Sequence, residues 1–227
     1  MEAVKKTRPL VKVPLMVKLP PFLPNLDQVL KELVTAGVDA IAAMDSIGPV
    51  MTIDIETGRP HMGSPDGSGY LSGKYILPVT LKYIYEITRF VNLPVVGVGG
   101  VTDYRGALQM IMAGATGVGM VSAPMLRGFE IFNQTAAALR AYLEKRGCKA
   151  ISELKGLTHK RAADRQPLFG VKAGIDPDLC NSCGLCLRVC YALAIEEEEK
   201  TYRVLIERCV SCGLCESVCP VEAVFFS

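Results

Sequence analysis

The chain has 227 residues, half of them apolar and 21% charged, which supplies a sizeable core and excludes intrinsic disorder. Its formal net charge of +2 argues against a nucleic-acid partner, and no apolar run approaches the roughly 18 residues of a membrane span. Met1 leads into a charged helical stretch rather than a signal peptide, so a cytoplasmic protein with neither nucleic acid nor membrane as partner is expected.

The near-balance of charge hides an asymmetry. Residues 1–167 carry 20 Lys+Arg against 14 Asp+Glu, whereas residues 168–227 carry 5 against 9. In the basic part, Val13–Leu19 reads as a strand ended by Pro20-Pro21. Asn25 is then expected to cap a helix whose apolar positions are Leu26, Val29, Leu30, Leu33 and Val34, stopped by Gly37. A strand over Val38–Met44 follows, then a long glycine-rich loop, a helix near Leu77–Val91 and a strand over Pro94–Val98. Thr102 and Asp103 open the next helix and Gly114 closes it. Thr116–Val121 is a further strand, and the last helix runs from about Phe129 to Arg146.

Strands alternating with helices predict a parallel sheet, each strand apolar on both faces. The polar and glycine positions gather at the strand C-termini: Lys18, Asp45-Ser46, Gly99-Gly100 and Val121-Ser122. A (β/α)8 barrel places its active site at that edge and commonly seats a phosphate on the loops after its last two strands. Only four strands are present, while a full barrel takes about 250 residues. An open sheet of this kind would expose apolar edges.

Eight of the nine cysteines fall within the acidic tail. Cys180, Cys183, Cys186 and Cys190 recur as Cys209, Cys212, Cys215 and Cys219, each displaced by 29 residues. Three cysteines at spacing three wrap one cube of iron and sulfide, and the fourth, one residue farther on, points at the other cube. The expected sets are Cys180, Cys183, Cys186 and Cys219 on one 4Fe–4S cluster, and Cys209, Cys212, Cys215 and Cys190 on the other. Zinc sites instead use well-separated CxxC pairs. Cys219 is followed by Pro220 as this pattern requires, but Cys190 by Tyr191. Glu196–Glu199 reads as a solvated turn, with a docking surface for a basic electron partner as the alternative.

The ordered motifs VPLMVKLPP, AAMDSIG, GYLSGKYILP, VGVGGV and AGATGVGMVSA resemble the second half of the dihydroorotate dehydrogenase and dihydropyrimidine dehydrogenase family. The tail resembles bacterial-type two-cluster ferredoxins. The resemblance implies an α/β fold: residues 1–165 as four βα units, the second half of a (β/α)8 barrel holding FMN, and residues 170–227 as a small α+β ferredoxin-like domain. Residues 1–12 would match the helix before strand five, and the family's first four strands lie outside this sequence. By motif, Lys18 would contact the flavin ring and Met44 would lie beside it through its backbone. Gly73, Gly99, Gly100, Val121 and Ser122 would hold the ribityl phosphate. The family's Gly-Thr at the last of these positions is Val-Ser here, which keeps the backbone donors provided no positive φ is needed.

The substrate positions depart further. The family's Asn-Thr pair is Asp45-Ser46, and an ionised carboxylate only accepts hydrogen bonds where an amide also donates. Orotate, an anion, fits this poorly; a donor-rich or cationic substrate suits it better unless burial raises the pKa of Asp45. The family's proton-transferring Cys or Ser belongs to the half outside this sequence. Cys148, after the last barrel helix, reads as a packing thiol. His61, on the long loop, reads as a substrate contact or a solvated residue, and His159, beside Lys160-Arg161, as structural or solvated.

The expected function is an iron–sulfur flavoprotein oxidoreductase, or a subunit of one, acting on CH–CH bonds of a pyrimidine-like small molecule. FMN would couple two-electron hydride transfer to single-electron transfer through two 4Fe–4S clusters. Expected partners are a chain supplying the missing half barrel or a second copy, and a ferredoxin or nicotinamide-oxidising flavoprotein. The alternatives are a non-catalytic electron-transfer or assembly subunit, and a truncated or split enzyme.

Overall fold

The computed structural model describes residues 1–163 and 171–226. The expected boundary between residues 165 and 170 lies outside the described residues. The chain forms two compact units, Met1–Ala163 and the residues from Asp164 onward.

Unit 1 opens with α1 (Glu2–Thr7), then β1 (Met16–Leu19), α2 (Leu26–Thr35), β2 (Ala40–Ala43), and a hairpin of β3 (Ile47–Met51) and β4 (Ser68–Leu71). It continues with α3 (Leu77–Phe90), β5 (Val95–Val98), α4 (Tyr104–Met112), β6 (Gly117–Gly119), α5 (Ser122–Arg127), α6 (Glu130–Arg146) and α7 (Leu157–Ala163). The sheet is parallel, in the order β1-β2-β5-β6. Consecutive strands of the alternating pattern are therefore neighbours.

The helices follow from their apolar spacing. Thr80, Tyr83, Ile84 and Ile87 of α3 lie on one face and are buried, as are Leu30 and Leu33 of α2. They pack with Ile41, Val95 and Met110, which exclude water completely; each such side chain contributes roughly 1.5–3 kcal/mol of transfer free energy. Gly97 brings α4 close to the sheet, since a Cβ there would lie 2.9 Å from the Met110 sulfur. Asp103 caps α4, accepting from the amides of Arg105 (2.9 Å) and Gly106 (3.0 Å). Asn25 does stand before α2, but in the left-handed conformation and without a side-chain bond to the helix. Its contribution is backbone geometry, not capping.

Two expectations are corrected. β2 is buried on both faces, but β1 and β5 are not: Met16 and Lys18 are exposed and Val96 and Val98 only half-buried, with Lys18 and Val98 lining an open cleft. The long loop after β2 is not structureless but carries the β3–β4 hairpin, with Ile47 opposite Leu71 and Met51 opposite Ser68.

Unit 2 holds β7 (Ala173–Ile175), α8 (Leu185–Val189), β8 (Ile195–Glu198), β9 (Thr201–Val204), α9 (Leu214–Ser217) and β10 (Val224–Phe226). β7 pairs antiparallel with β10, and β8 with β9. The repeat seen in the sequence is structural: Ser182, Gly184 and Leu193 take positive φ, and so do Ser211, Gly213 and Glu222, each 29 residues on. Glu196–Glu199 spans β8 and its turn, with Glu196 paired to Arg203 on the neighbouring strand.

Candidate functional site

The C-terminal edge of the parallel sheet surrounds a cleft with about 270 Å³ of space for solvent. All nine flavin and substrate positions carried over by motif reach it. Lys18 comes from β1; Met44, Asp45 and Ser46 follow β2; Gly73 precedes α3; Gly99 and Gly100 follow β5; Val121 and Ser122 follow β6. The volume lies just below the usual roughly 300–1,000 Å³ of small-molecule sites, as a cleft walled on one side by four strands would.

Polar contacts order this edge. The Met44 amide donates to the Val98 carbonyl at 2.7 Å, tying the β2 loop to the end of β5. Lys18 Nζ lies 3.2 Å from Asp45 Oδ2, and the Ser46 amide donates to Asp45 Oδ1 at 2.9 Å. Together, the Ser46 amide first and the Lys18 ammonium second, they hold the Asp45 carboxyl below its ordinary value. Asp45 is thus ionised at neutral pH, not raised by burial. Ser72 Oγ and Ser122 Oγ are 3.1 Å apart across the cleft.

The Val-Ser replacement costs no backbone freedom. Val121 has φ −121° and Ser122 begins α5, so glycine's positive φ is not used there. Gly99 and Gly100 do use it, at +123° and +86°. A Cβ on Gly100 would lie 2.4 Å from the Leu77 amide nitrogen, so this turn packs directly against the start of α3. The donor set, the Lys18 ammonium, the hydroxyls of Ser46, Tyr70, Ser72 and Ser122 and a glycine-rich backbone, suits an anionic phosphate and an electron-accepting ring.

Tyr70, Ser72, Ile76 and Met125 also line the cleft. Tyr70 and Ser72 lie in the GYLSGKY stretch whose Gly73 was singled out, so position in that motif was the available signal; the exposed Met125 had none. His61 is exposed, within 3.2 Å of Thr52 Oγ1, and is not in the cleft lining. His159 is half-buried, stacked on Tyr85 at 4.4 Å with Nε2 2.8 Å from Thr88 Oγ1, a structural placement. Cys148 is half-buried just past the end of α6.

In unit 2 the cysteines divide between two cavities. Cys209, Cys212 and Cys215 line one with Cys190; Cys180, Cys183 and Cys186 line the other with Cys219. Each cavity therefore takes its fourth cysteine from the other repeat. Among the described residues no three His, Cys, Asp or Glu side chains converge on a single-ion position. A cube of four irons takes its thiolates at its corners, wider apart than the ligands of one zinc ion. Burial pushes the Cys186 and Cys215 thiols up, a cost to the thiolate that a cationic iron–sulfur core offsets.

Comparison with known proteins assigns a family to each part of the chain. The family model described as dihydroorotate dehydrogenase matches residues 1–143, and one described as a 4Fe–4S dicluster domain matches residues 173–225. The chain is 35% identical over 156 residues to the catalytic subunit of a dihydroorotate dehydrogenase B (NAD(+)) from Methanothermobacter thermautotrophicus, covering 69% of this chain and 51% of that protein. Its counterpart from Methanosarcina acetivorans is 37% identical over 150 residues, 66% of this chain and 47% of that one. The Pyrococcus abyssi protein is 30% identical over 159 residues, 70% and 52% respectively. The chain thus spans about half the length of the curated relatives it matches. The cofactors are FMN for the first unit and two 4Fe–4S clusters for the second. On the match over residues 1–143, the chain belongs to the dihydroorotate dehydrogenase family, here joined to a 4Fe–4S dicluster domain.

Proposed function

We propose that this chain is the second half of a (β/α)8 flavin barrel joined to a ferredoxin-like domain, and works within an iron–sulfur flavoprotein oxidoreductase. The observation that carries this reading is the convergence of nine residues, from five separated segments, on one cleft at the C-terminal strand edge. FMN bound there would exchange a hydride with an organic substrate and pass electrons singly to the clusters. Lys18 provides the cation that stabilises negative charge on a reduced ring. Backbone donors at Gly73, Gly99, Gly100, Val121 and Ser122 would hold the phosphate. The thiolates of the eight paired cysteines would hold the two clusters.

The cleft also speaks to the substrate. Lys18 and Asp45 are the only charged side chains among the described lining residues, and they face each other. An anionic pyrimidine would meet a lysine already paired with Asp45 and a carboxylate that cannot donate. A neutral cyclic amide or ureide offering N–H to Asp45 fits better. A proton donor for the substrate carbon comes from the complementary half, supplied by further polypeptide or by a second copy. The edges of β1 and β6 are where those strands would pair. A ferredoxin or nicotinamide-oxidising flavoprotein would exchange electrons with the clusters.

Anaerobic purification with cofactor extraction tests this. About eight irons and eight acid-labile sulfides per chain are expected, together with FMN that binds far more tightly once the complementary half is present. Lys18→Ala should weaken FMN binding and leave iron content unchanged. Stoichiometric zinc without sulfide, or no flavin binding with the complementary half present, would refute the reading. A second reading, a non-catalytic electron-transfer subunit, is favoured by the open side of the cleft. It predicts full iron loading with no flavin in any complex.

A further inference from the structure

The repeat of unit 2 makes each cysteine cavity a reference for the other, because the same bonds recur at a displacement of 29 residues. The Ser182 hydroxyl donates to the Lys200 carbonyl, and the Ser211 hydroxyl donates to the Val171 carbonyl. The Cys180 amide donates to the Asp176 carbonyl at 3.0 Å, and the Cys209 amide to the Leu205 carbonyl at 3.1 Å. Residue 172 therefore corresponds to residue 201, and residue 176 to residue 205.

A protein sets the potential of an iron–sulfur cluster through hydrogen bonds to sulfur, solvent exposure and net charge. The first two match between the cavities. One backbone amide donates to a cysteine sulfur in each set: Ala194 to Cys190 Sγ at 3.3 Å and Ala223 to Cys219 Sγ at 3.2 Å. Cys186 and Cys215 are each 8% exposed.

Charge does not match. Lys172 is half-buried and its ammonium donates to the Cys209 carbonyl; its counterpart Thr201 is neutral. Asp176 is half-buried beside Cys180, with Oδ1 accepting from the Asp178 amide at 2.9 Å; its counterpart Leu205 is neutral. The third half-buried charge of the unit, Glu196, is paired with Arg203. Every other charged side chain among its described residues, Glu197–Glu199, Lys200, Arg188 and Arg208 included, is exposed and screened by salt. The two half-buried charges are screened less and act in the same sense, one cationic beside Cys209 and one anionic beside Cys180.

We propose that Lys172 and Asp176 make the two clusters unequal, so that the cluster of Cys209, Cys212, Cys215 and Cys190 takes its electron at the higher potential. Each cluster gains one electron from a low-potential donor, and the reduced cluster carries one more negative charge. Lys172 favours that charge at its own cavity, and Asp176 disfavours it at the cavity of Cys180, Cys183, Cys186 and Cys219. Electrons entering the unit then come to rest on the Lys172 side. This rests on the reading that the eight cysteines hold two 4Fe–4S clusters.

The test is a potentiometric reduction of the full chain, anaerobically reconstituted, with dithionite as the electron donor and electron paramagnetic resonance as the readout. Two separated one-electron steps are expected. Lys172→Gln keeps a hydrogen-bond donor but removes the charge, and should move the higher step down while leaving the lower in place. Lys172→Arg should restore the wild-type position. Asp176→Asn should move the lower step up and leave the higher unchanged. Two coincident steps in the wild type, or variants that load fully and leave both steps unmoved, would overturn the proposal. So would movement of the wrong step. If Lys172→Gln fails to load iron, Lys172→Arg and Asp176→Asn decide. Iron and sulfide are counted in every sample: a wild-type chain without about eight of each defeats the cluster reading itself, whereas full loading with unmoved steps defeats only this inference.

Discussion

Gly100 shows how a single residue shapes the cleft. Its φ of +86° is strained for any side chain, and a Cβ would run into the backbone of Leu77 rather than into a side chain able to move. Gly100→Ala should therefore destabilise the protein by at least about 1–3 kcal/mol from the conformation alone, read as a lower denaturation midpoint in urea. Unchanged stability would show that α3 can shift to accommodate it. The Gly-Gly pair, Lys18 and Asp45-Ser46 were legible in the sequence because motif order placed them at strand ends. The ion pair between Lys18 and Asp45 was not: the two residues lie 27 positions apart in the chain, and only the register of β1 on β2, Lys18 opposite Ala42 and Leu19 opposite Ala43, sets them side by side.

Among the elements, the alternating strands and helices were readable from apolar periodicity, and their ends shifted by a few residues. The expected strand Val13–Leu19 begins at Met16, past Pro14, which has no amide to donate to the ladder. The β3–β4 hairpin escaped because Gly48, Pro49 and Gly69 lie within its strands and break any β-forming run. α7 is held by a contact no pattern predicts, His159 between the Tyr85 ring and the Thr88 hydroxyl. Burial first, and the Arg89 charge in addition, hold the His159 imidazole below its ordinary 6.5, against an opposing pull from the Ala113 backbone. The folded state therefore prefers neutral His159. Its contribution to stability is complete above pH 6.5 and declines as pH falls toward the lowered value. Denaturation midpoints between pH 8 and pH 5 should fall in the wild type, and His159→Gln should flatten that part of the profile. An equally steep profile in the variant would assign it to other groups.

At the scale of the whole molecule, the two units were legible as a change in charge and cysteine content, while the open side of the sheet was legible only as a shortage of strands. The crossed filling of the two cysteine cavities has a consequence for how the protein matures. β7, at the head of the first repeat, pairs with β10 at the tail of the second, and each cavity borrows its fourth cysteine from the opposite repeat. Neither cage can be closed while the other repeat is unfolded, so the first cube inserted preorganises the ligands of the second. Metal insertion should be all-or-none. Native mass spectrometry of a chain given too little iron should show empty protein beside protein with about eight irons, and few molecules halfway. A dominant four-iron population would mean that the repeats mature independently. On this expectation the two halves of the tail form an interlocked pair, in which filling one cavity commits the other.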